Sequence, residues 1–156
     1  MRFLSVTETE YPLFHSLMND YYREGEDSQT SQDEIDGFIQ YLYDLCLQGK
    51  IMGAVAFETT PVGFVIWNID TPEGAFCQKP GFGTILEIGI NREFRHRGFG
   101  RKIAEYALSM IAVLDYYVCA YGPAEAFWTK YGFRDSGEIA ENGLKIYVRH
   151  DHGFEG

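Results

Sequence analysis

The chain has 156 residues, of which 46% are apolar and 16% aromatic, and its formal net charge is −10. This composition excludes a disordered chain, and the acidic balance disfavours general nucleic-acid binding because phosphate backbones attract basic surfaces. The sequence lacks an apolar run of ~18 residues and an apolar secretory signal, and its three cysteines are widely spaced. We therefore expect a cytoplasmic protein with reduced thiols and no metal site, forming one domain over residues 1–156.

The first part of the chain predicts four strands and two helices. Apolar residues recur at helical spacing in the segment before residue 22, and Ser31 with Glu34 matches a capping box that opens a second helix. Apolar runs on either side of Pro61 are typical of a hairpin, and Gly89 inside the next strand indicates a bulge or a close backbone approach. The predicted spans are a strand at 3–6, a helix from Thr7 or Thr9 to about Tyr22, a helix from 32 to about Gln48, and strands at 51–57, 62–69 and 85–90.

The remainder of the chain predicts two helices and three strands. Pro123 suits the first turn of a short helix because its missing N–H is not needed there, and Gly132 is a natural end for that helix. The predicted spans are a helix at 98–114, a strand at 116–121, a helix at 123–131, and strands at 133–139 and 144–149. The resulting order, β-α-α-β-β-β-α-β-α-β-β, predicts an α/β fold with a mixed sheet.

Residues 85–102, ILEIGINREFRHRGFGRK, combine a buried strand, a glycine-rich turn and the start of a helix. The N–H groups and the dipole at a helix N-terminus favour a phosphate there, and Gly98 and Gly100 allow the backbone to approach a ligand closely. Segment 92–102 carries a net charge of +4, whereas the rest of the chain carries −14. The pattern therefore predicts a phosphate site, with a solvated surface turn as the alternative.

Two common phosphate-binding motifs are absent from this sequence. The nucleoside-triphosphate loop GxxxxGK[ST] does not occur, and no GxGxxG turn lies within a βαβ dinucleotide unit. The glycine-rich turn therefore predicts a phosphate ligand that is bound by a different motif.

The pattern Arg-x-x-Gly-x-Gly at 95–100, preceded by an apolar strand and the residues NREF, resembles the acetyl-CoA signature of the GNAT superfamily of N-acetyltransferases. A second stretch at 124–133, AEAFWTKYGF, is similar to that family's second motif, a short helix ending in Gly-Phe. The predicted order of elements also matches that family over nearly the whole chain. The resemblance implies an acyl-CoA N-acyltransferase-like α/β fold, in which helices flank both faces of a mixed, mostly antiparallel sheet.

The resemblance also implies how acetyl-CoA, the co-substrate, binds. The pyrophosphate would lie on the backbone amides from Arg95 to Arg101, and the pantetheine would pair like an added strand with Ile88 and Ile90. No metal is implied. The expected cofactor-binding residues are Ile88, Ile90, Arg95, Arg97, Gly98, Phe99, Gly100, Arg101 and Trp128.

The reaction implied by the resemblance is direct attack of a primary amine on the thioester in a ternary complex. An alkylammonium group has a pKa near ~10.4 and must lose a proton before it attacks. Glu87, beside the presumed acetyl site, is the candidate base for this step. A hydrogen-bonded or salt-bridged strand residue is the alternative role for Glu87.

The proton donor for the departing thiolate is a separate question. A thiolate with a pKa of about 8.5 leaves without a strong acid, although many members of the resembled family use a tyrosine. Trp128 stands in the place of that tyrosine, and an indole is no useful proton source. Tyr121 and Tyr131 are the candidate acids, with solvent or simple packing roles as the alternatives.

For Cys119 a buried structural thiol is the default expectation, and an acyl-cysteine intermediate is the alternative.

An acidic segment from residue 20 to residue 36 indicates the acceptor class. In the resembled fold the connection between the first two helices borders the acceptor groove, and an acidic rim there attracts cationic amines. A polyamine, an aminoglycoside-like molecule or a basic peptide is therefore favoured, with a solvated acidic loop as the alternative. The acidic residues are Asp20, Glu24, Glu26, Asp27, Asp33, Glu34 and Asp36, against Arg23 alone.

The sequence as a whole therefore predicts a cytoplasmic N-acetyltransferase. We expect its partner to be a small-molecule or peptide amine, and neither nucleic acid nor a membrane, while a homodimer stays open. Two alternatives are a non-catalytic CoA-binding regulatory module, which Trp128 motivates, and an acidic protein-interaction domain without a CoA site.

Overall fold

The structure is a computed structural model, and it describes residues 1–25 and 30–151. The order of strands and helices that the sequence predicts is confirmed. The strands are β1 (Arg2–Ser5), β2 (Met52–Phe57), β3 (Pro61–Ile69), β4 (Gly83–Ile90), β5 (Asp115–Ala120), β6 (Arg134–Ile139) and β7 (Lys145–His150). The helices are α1 (Tyr11–Gly25), α2 (Gln32–Leu47), α3 (Phe99–Ser109) and α4 (Pro123–Lys130), with 3-10 turns at Val6–Glu8 and Arg92–Phe94.

The strands of the described chain pair in the order β1-β2-β3-β4-β5-β7-β6. The pairs β1–β2, β2–β3, β5–β7 and β6–β7 are antiparallel, whereas β4 and β5 run parallel. The predicted mixed, mostly antiparallel sheet of an α/β fold is thus confirmed. None of the described helices is both long enough and apolar enough to cross a membrane.

The contacts within the chain define two compact units. The first unit comprises residues 1–67 and 87–107, and the second comprises residues 68–86 and the described residues from Leu108 onward. The glycine-rich bend after β4 therefore belongs to the first unit, whereas α4 belongs to the second. A single domain over residues 1–156 stays a prediction.

In the first unit, helices pack on strands through aromatic and small residues. Tyr21 of α1 meets Phe64 of β3 edge-on, with ring centroids 5.3 Å apart. A Cβ at Gly63 would lie 2.2 Å from the carbonyl oxygen of Gly89, and a Cβ at Gly89 would lie 2.5 Å from the Phe64 ring. The close backbone approach that Gly89 predicted is therefore confirmed, and neither glycine tolerates a side chain.

The start of α2 that the pattern of Ser31 and Glu34 predicts is confirmed. Ser31 is the N-cap residue, its hydroxyl accepts the Glu34 N–H at 3.1 Å, and it donates to the Glu34 carboxylate at 3.2 Å. A serine oxygen at this position satisfies one of the N–H groups that the first helical turn leaves without a partner. The local sequence therefore fixes where α2 begins.

Three predicted helix boundaries are wrong, and one of them is the end of α1, which lies at Gly25 and not at about Tyr22. The helix α3 ends at Ser109 and not at residue 114. Beyond this end the Ile111 N–H donates to the Leu108 carbonyl in a turn, and the Ile111 side chain is buried. The helix α1 begins at Tyr11 without a threonine cap, since the Thr9 hydroxyl donates to the Ser5 carbonyl. The spacing of apolar residues indicates which residues are buried. A buried residue just beyond the end of a helix therefore keeps the apolar spacing although the helix has ended.

Helices α1 and α2 are joined by hydrogen bonds to Asp36. The Oδ1 atom of Asp36 lies 2.7 Å from His15 Nε2 and accepts the Gln32 amide at 2.8 Å. The hydrogen bond with His15, followed by that with Gln32, holds the pKa of Asp36 below its usual value of 3.8. A carboxylate with a lowered pKa stabilises the fold above its unfolded pKa, and this stability disappears as the pH falls through the folded pKa.

We therefore expect Asp36→Asn to make unfolding less sensitive to acid. Urea unfolding at several pH values from about 6 down to about 3 measures this dependence. In that range the wild-type protein should lose free energy of unfolding more steeply than the variant. Parallel curves for the two proteins would show that Asp36 makes no pH-dependent contribution.

Candidate active site

The bend between β4 and α3 is anchored to β3 at its first residue. The Asn91 N–H donates to the Val62 carbonyl at 2.8 Å, and its side-chain amide donates to the Pro61 carbonyl at 2.9 Å. The 3-10 turn Arg92–Phe94 follows. These hydrogen bonds fix where the chain leaves the sheet and therefore where the bend lies.

The glycine-rich bend is exposed and has an unusual backbone conformation. His96 has a φ of 63° and Gly98 has a φ of 82°, in the left-handed region that glycine adopts without strain. The helix α3 begins at Phe99, and its first N–H bond to a preceding carbonyl is from Lys102 to Gly98 at 3.3 Å. The N–H groups of the first turn of a helix have no partner within that helix, so the bend has the geometry of an anion site.

The basic side chains of the bend are engaged by the protein itself. Arg95 donates through Nε to the Ile90 carbonyl at 2.9 Å, and its Nη2 lies 2.6 Å from the Glu24 carboxylate. Arg97 donates to the Glu93 carbonyl at 3.4 Å, and its guanidinium lies over two phenylalanine rings. Arg101 pairs with Glu105, one turn along α3. These side chains brace the bend, and the backbone N–H groups of the bend are the candidate donors for an anion.

A cavity of about 390 Å³ lies beside the bend in the first unit. It opens between the last two turns of α1, Phe64 of β3, the end of β4 and the start of the bend. Its charged lining includes both carboxylates and guanidinium groups. Arg95 pairs with Glu24, Arg23 donates to Gln32 and the Thr30 carbonyl, and Arg92 lies 3.9 Å from Glu24. The lining residues are Leu17, Asp20, Tyr21, Arg23, Glu24, Phe64, Gly89, Ile90, Asn91, Arg92, Glu93 and Arg95.

Glu87 of β4 is partly buried and accepts a hydrogen bond from the Tyr22 hydroxyl at 3.1 Å. Residues 87 and 89 of a strand share one face, and a side chain at Gly89 would meet Tyr21, so this face of β4 is turned toward α1. Glu87 is therefore two residues, about 7 Å along the strand, from the part of β4 that lines the cavity. A carboxylate in this place can accept a proton from a ligand amine.

The second sequence motif forms α4 and the turn after it, in the second unit. Trp128 is only 5% exposed, and its ring packs against Phe127 at 4.8 Å and Phe133 at 5.2 Å. Tyr131 ends the helix, its carbonyl accepts from Arg149, and the guanidinium lies 5.2 Å from its ring. Tyr121 follows β5 and is 64% exposed. Within this unit, Trp128 is a packing residue and Tyr121 is open to solvent.

Comparison with known proteins identifies the family. A model of the acetyltransferase (GNAT) family matches residues 11–133, which include both sequence motifs. The chain belongs to the GNAT acetyltransferase family. The resemblance that the two motifs indicated is thus confirmed, and the protein is an N-acetyltransferase of a family that uses acetyl-CoA. The comparison with curated protein sequences gave no significant match.

Solved acetyltransferase structures share the fold over most of the chain. An acetyltransferase from Thermus thermophilus has 22% identity and a TM-score of 0.68, with 90% of each chain covered. A GNAT acetyltransferase from Staphylococcus aureus has 10% identity and a TM-score of 0.69, covering 96% of this chain and 99% of its own. The PaiA N-acetyltransferase from Thermoplasma acidophilum, solved in complex with coenzyme A, has 17% identity and a TM-score of 0.60, covering 96% and 99%. At these identities the likeness establishes the fold.

The predicted site residues lie in two different units of the chain. Glu87, Ile88, Ile90 and the bend belong to the first unit, whereas Tyr121, Trp128 and Tyr131 belong to the second. Their catalytic and cofactor-binding roles stay predictions. Sequence reasoning did not find the pairing of Tyr22 with Glu87 or of Glu24 with Arg95, since neither spacing follows a local motif.

Among the described residues, no group of three or more His, Cys, Asp or Glu side chains is arranged to hold a metal ion.

The cysteines of this acetyltransferase are in environments that disfavour a thiolate. Burial raises the pKa of Cys119 to about 11, with a further contribution from the Asp70 carboxylate, and burial raises the pKa of Cys46 to about 12. Burial, and then the charge of Asp70, also raises the pKa of Cys77. Because the thiolate is the nucleophile, an acyl-cysteine at Cys119 is disfavoured.

We therefore expect Cys119→Ala to retain acetyl transfer. The folded protein should also react slowly with a thiol reagent at about pH 8, far below the pKa values of its buried cysteines. Colorimetric thiol counting before and after unfolding, together with an assay of acetyl-CoA consumption, measures both. A variant that binds CoA normally but has lost turnover would revive Cys119 as the nucleophile.

Proposed function

We propose that the protein transfers the acetyl group of acetyl-CoA to a primary amine of a cationic small molecule or peptide, by direct attack in a ternary complex. The observation that carries this proposal is the exposed bend at 96–98, whose left-handed backbone leads into the N-terminus of α3. Such a bend supplies N–H groups to a diphosphate. The cavity and Glu87 in the same unit supply a place for the acceptor and a base.

Each part of the proposed site has one task in the transfer reaction. The residues 95–101 hold the diphosphate, and the backbone of Ile88 and Ile90 pairs with the pantetheine arm. Glu87 takes a proton from the acceptor ammonium, and the amine nitrogen then bonds to the acetyl carbon. The carbon–sulfur bond breaks to release the thiolate, and the nitrogen loses its second proton to solvent to give the amide. The thiolate needs no strong acid, so either Tyr121, Tyr131 or solvent supplies its proton.

The charges around the cavity support a cationic acceptor. Asp20, Glu24 and Glu93 contribute carboxylates to its lining. Glu24 is paired with Arg95, which leaves Asp20 and Glu93 as the carboxylates that a ligand ammonium group would meet. Of the acidic segment at 20–36, Glu26 and Asp27 lie outside the described residues, and Asp36 is engaged by His15. The three unpaired cysteines support a cytoplasmic location.

A turnover screen tests this function. Thiol release from acetyl-CoA is measured with polyamines, aminoglycosides, amino acids and basic peptides, and thermal unfolding is followed with and without CoA. The proposal expects a CoA-dependent rise in melting temperature and turnover with at least one cationic amine. Tight CoA binding without turnover on any amine would instead identify a CoA-binding module, and the absence of CoA binding would contradict the proposal altogether.

A further inference from the structure

The carboxylate of Glu87 is held by a side chain from a distant part of the chain. Tyr22 lies in the last turns of α1, and its hydroxyl donates to Oε1 of Glu87 at 3.1 Å, across 65 residues of sequence. A glutamate side chain on a strand has several rotamers, and a hydrogen bond to one oxygen restricts them. A carboxylate has lone pairs on both oxygens, so a hydrogen bond to Oε1 does not by itself prevent the group from taking up a proton.

The ring of Tyr22 is itself fixed by two aromatic neighbours. Tyr21 meets it edge-on at 5.1 Å, and Phe38 of α2 meets it at 5.6 Å with the rings 67° apart. Tyr21 in turn packs at a right angle on Phe64, so the contacts reach from α2 through α1 to β3. Edge-to-face pairs prefer defined geometries, and this arrangement therefore sets the position of the Tyr22 hydroxyl.

Asp20 and Glu93 line the cavity near Glu87, and other charged groups on the surrounding elements are paired. These pairs are Arg23 with Gln32, Glu24 with Arg95, Asp36 with His15, and Arg92 with Glu24 at the longer distance of 3.9 Å. The hydrogen bond from Tyr22 to the Glu87 carboxylate comes from a neutral donor. A donor of this kind stabilises the ionised carboxylate without adding a positive charge beside it.

We propose that Tyr22 is a positioning residue for Glu87, orienting the carboxylate and favouring its deprotonated form for the acceptor amine. This inference rests on the proposed function, in which Glu87 is the base. In the step concerned, one N–H bond of the ammonium breaks and one O–H bond forms on Glu87. Tyr22 keeps its own proton throughout and acts only through the hydrogen bond.

Tyr22→Phe tests the inference, because it removes the hydroxyl and keeps the ring. Tyr43→Phe is the matched control: it removes a hydroxyl from another tyrosine of the first unit, which donates to the Thr9 carbonyl at 3.3 Å and has no place in the site. Glu87→Gln reports on the base itself. The readouts are kcat with the best amine of the screen, CoA affinity, and the carboxyl titration by ¹³C NMR, with the Glu87 resonance assigned from the Glu87→Gln variant.

We expect Tyr22→Phe to move the Glu87 carboxyl titration to higher pH by about one unit, since the ionised form loses a hydrogen-bond donor. The variant's kcat should fall about tenfold, and that of Glu87→Gln about 100-fold, while CoA affinity stays the same in both. Tyr43→Phe should match the wild type in all three readouts.

The outcomes separate this inference from the function on which it rests. If Glu87→Gln lowers kcat but Tyr22→Phe changes neither the titration nor kcat, Tyr22 has no positioning role and the proposed function stands. If Glu87→Gln leaves kcat unchanged, both the base assignment and the inference are wrong, although acetyl transfer stands. If the wild-type protein binds CoA and acetylates no amine, the proposed function fails and the inference fails with it.

Discussion

Replacing Gly98 with valine is expected to weaken CoA binding by about 100-fold. Gly98 has a φ of 82°, which a β-branched residue adopts only at a cost of about 1–2 kcal/mol. A Cβ there would meet no atom within 4 Å, so the variant has no internal clash and relaxes by turning the bend to a negative φ. That rotation moves the N–H groups away from the diphosphate, and each lost charge-assisted hydrogen bond weakens binding by about 1.5–3 kcal/mol.

A second glycine in the same conformation provides the control. Gly49, just after α2, has a φ of 73°, and a Cβ at this position would also meet no atom within 4 Å. Gly49→Val should therefore cost about the same free energy of unfolding as Gly98→Val and leave CoA affinity unchanged. Isothermal titration with CoA, and the CoA-induced rise in melting temperature, compare the two variants. An equal response of both to CoA would mean that the bend does not bind the diphosphate.

The order of elements was predictable because each element carries its own local signal. Ser31 and Glu34 cap α2 through side chains three residues apart, and Pro123 opens α4 by its fixed φ. The glycine-rich bend was predictable for the same reason, since its conformation depends on residues that are adjacent in sequence. Local chemistry therefore accounts for most of the fold and for the position of the candidate phosphate site.

The tertiary contacts of the site were not predictable in this way. The net charge of the bend indicated cationic side chains for a phosphate, whereas Arg95 is engaged by Glu24 and Arg97 by the Glu93 carbonyl. Tyr22 gave no indication that it would reach Glu87, because that hydrogen bond exists only when α1 lies over β4. Composition reports which charges are present, and the packing of the helices decides which of them remain available to a ligand.

The contacts of the buried Asp70 carboxylate, in the second unit, were likewise not predictable from the sequence. Asp70 follows β3, is 2% exposed, and accepts the N–H groups of Gln78 and Lys79 at 2.8 and 3.1 Å and the Tyr117 hydroxyl at 2.6 Å on Oδ2. Burial, followed by the hydrogen bond to Asp70, raises the pKa of Tyr117, so this hydroxyl remains a donor. One side chain thus organises the connection that the sequence indicated only as an irregular loop.

Asp70→Ala is therefore expected to lower the free energy of unfolding by about 3 kcal/mol, because it leaves several donors without an acceptor. Each buried donor that loses its acceptor costs about 1–3 kcal/mol. Asp70→Asn keeps the volume and one acceptor oxygen and should cost less. Tyr117→Phe removes a single donor and should fall between the wild type and Asp70→Ala. Urea unfolding of the three variants measures this order. If Asp70→Ala costs no more than Asp70→Asn, solvent replaces the carboxylate as the acceptor. The connection at 70–82 is then held by its backbone hydrogen bonds, such as the one from the Asp70 N–H to the Phe82 carbonyl.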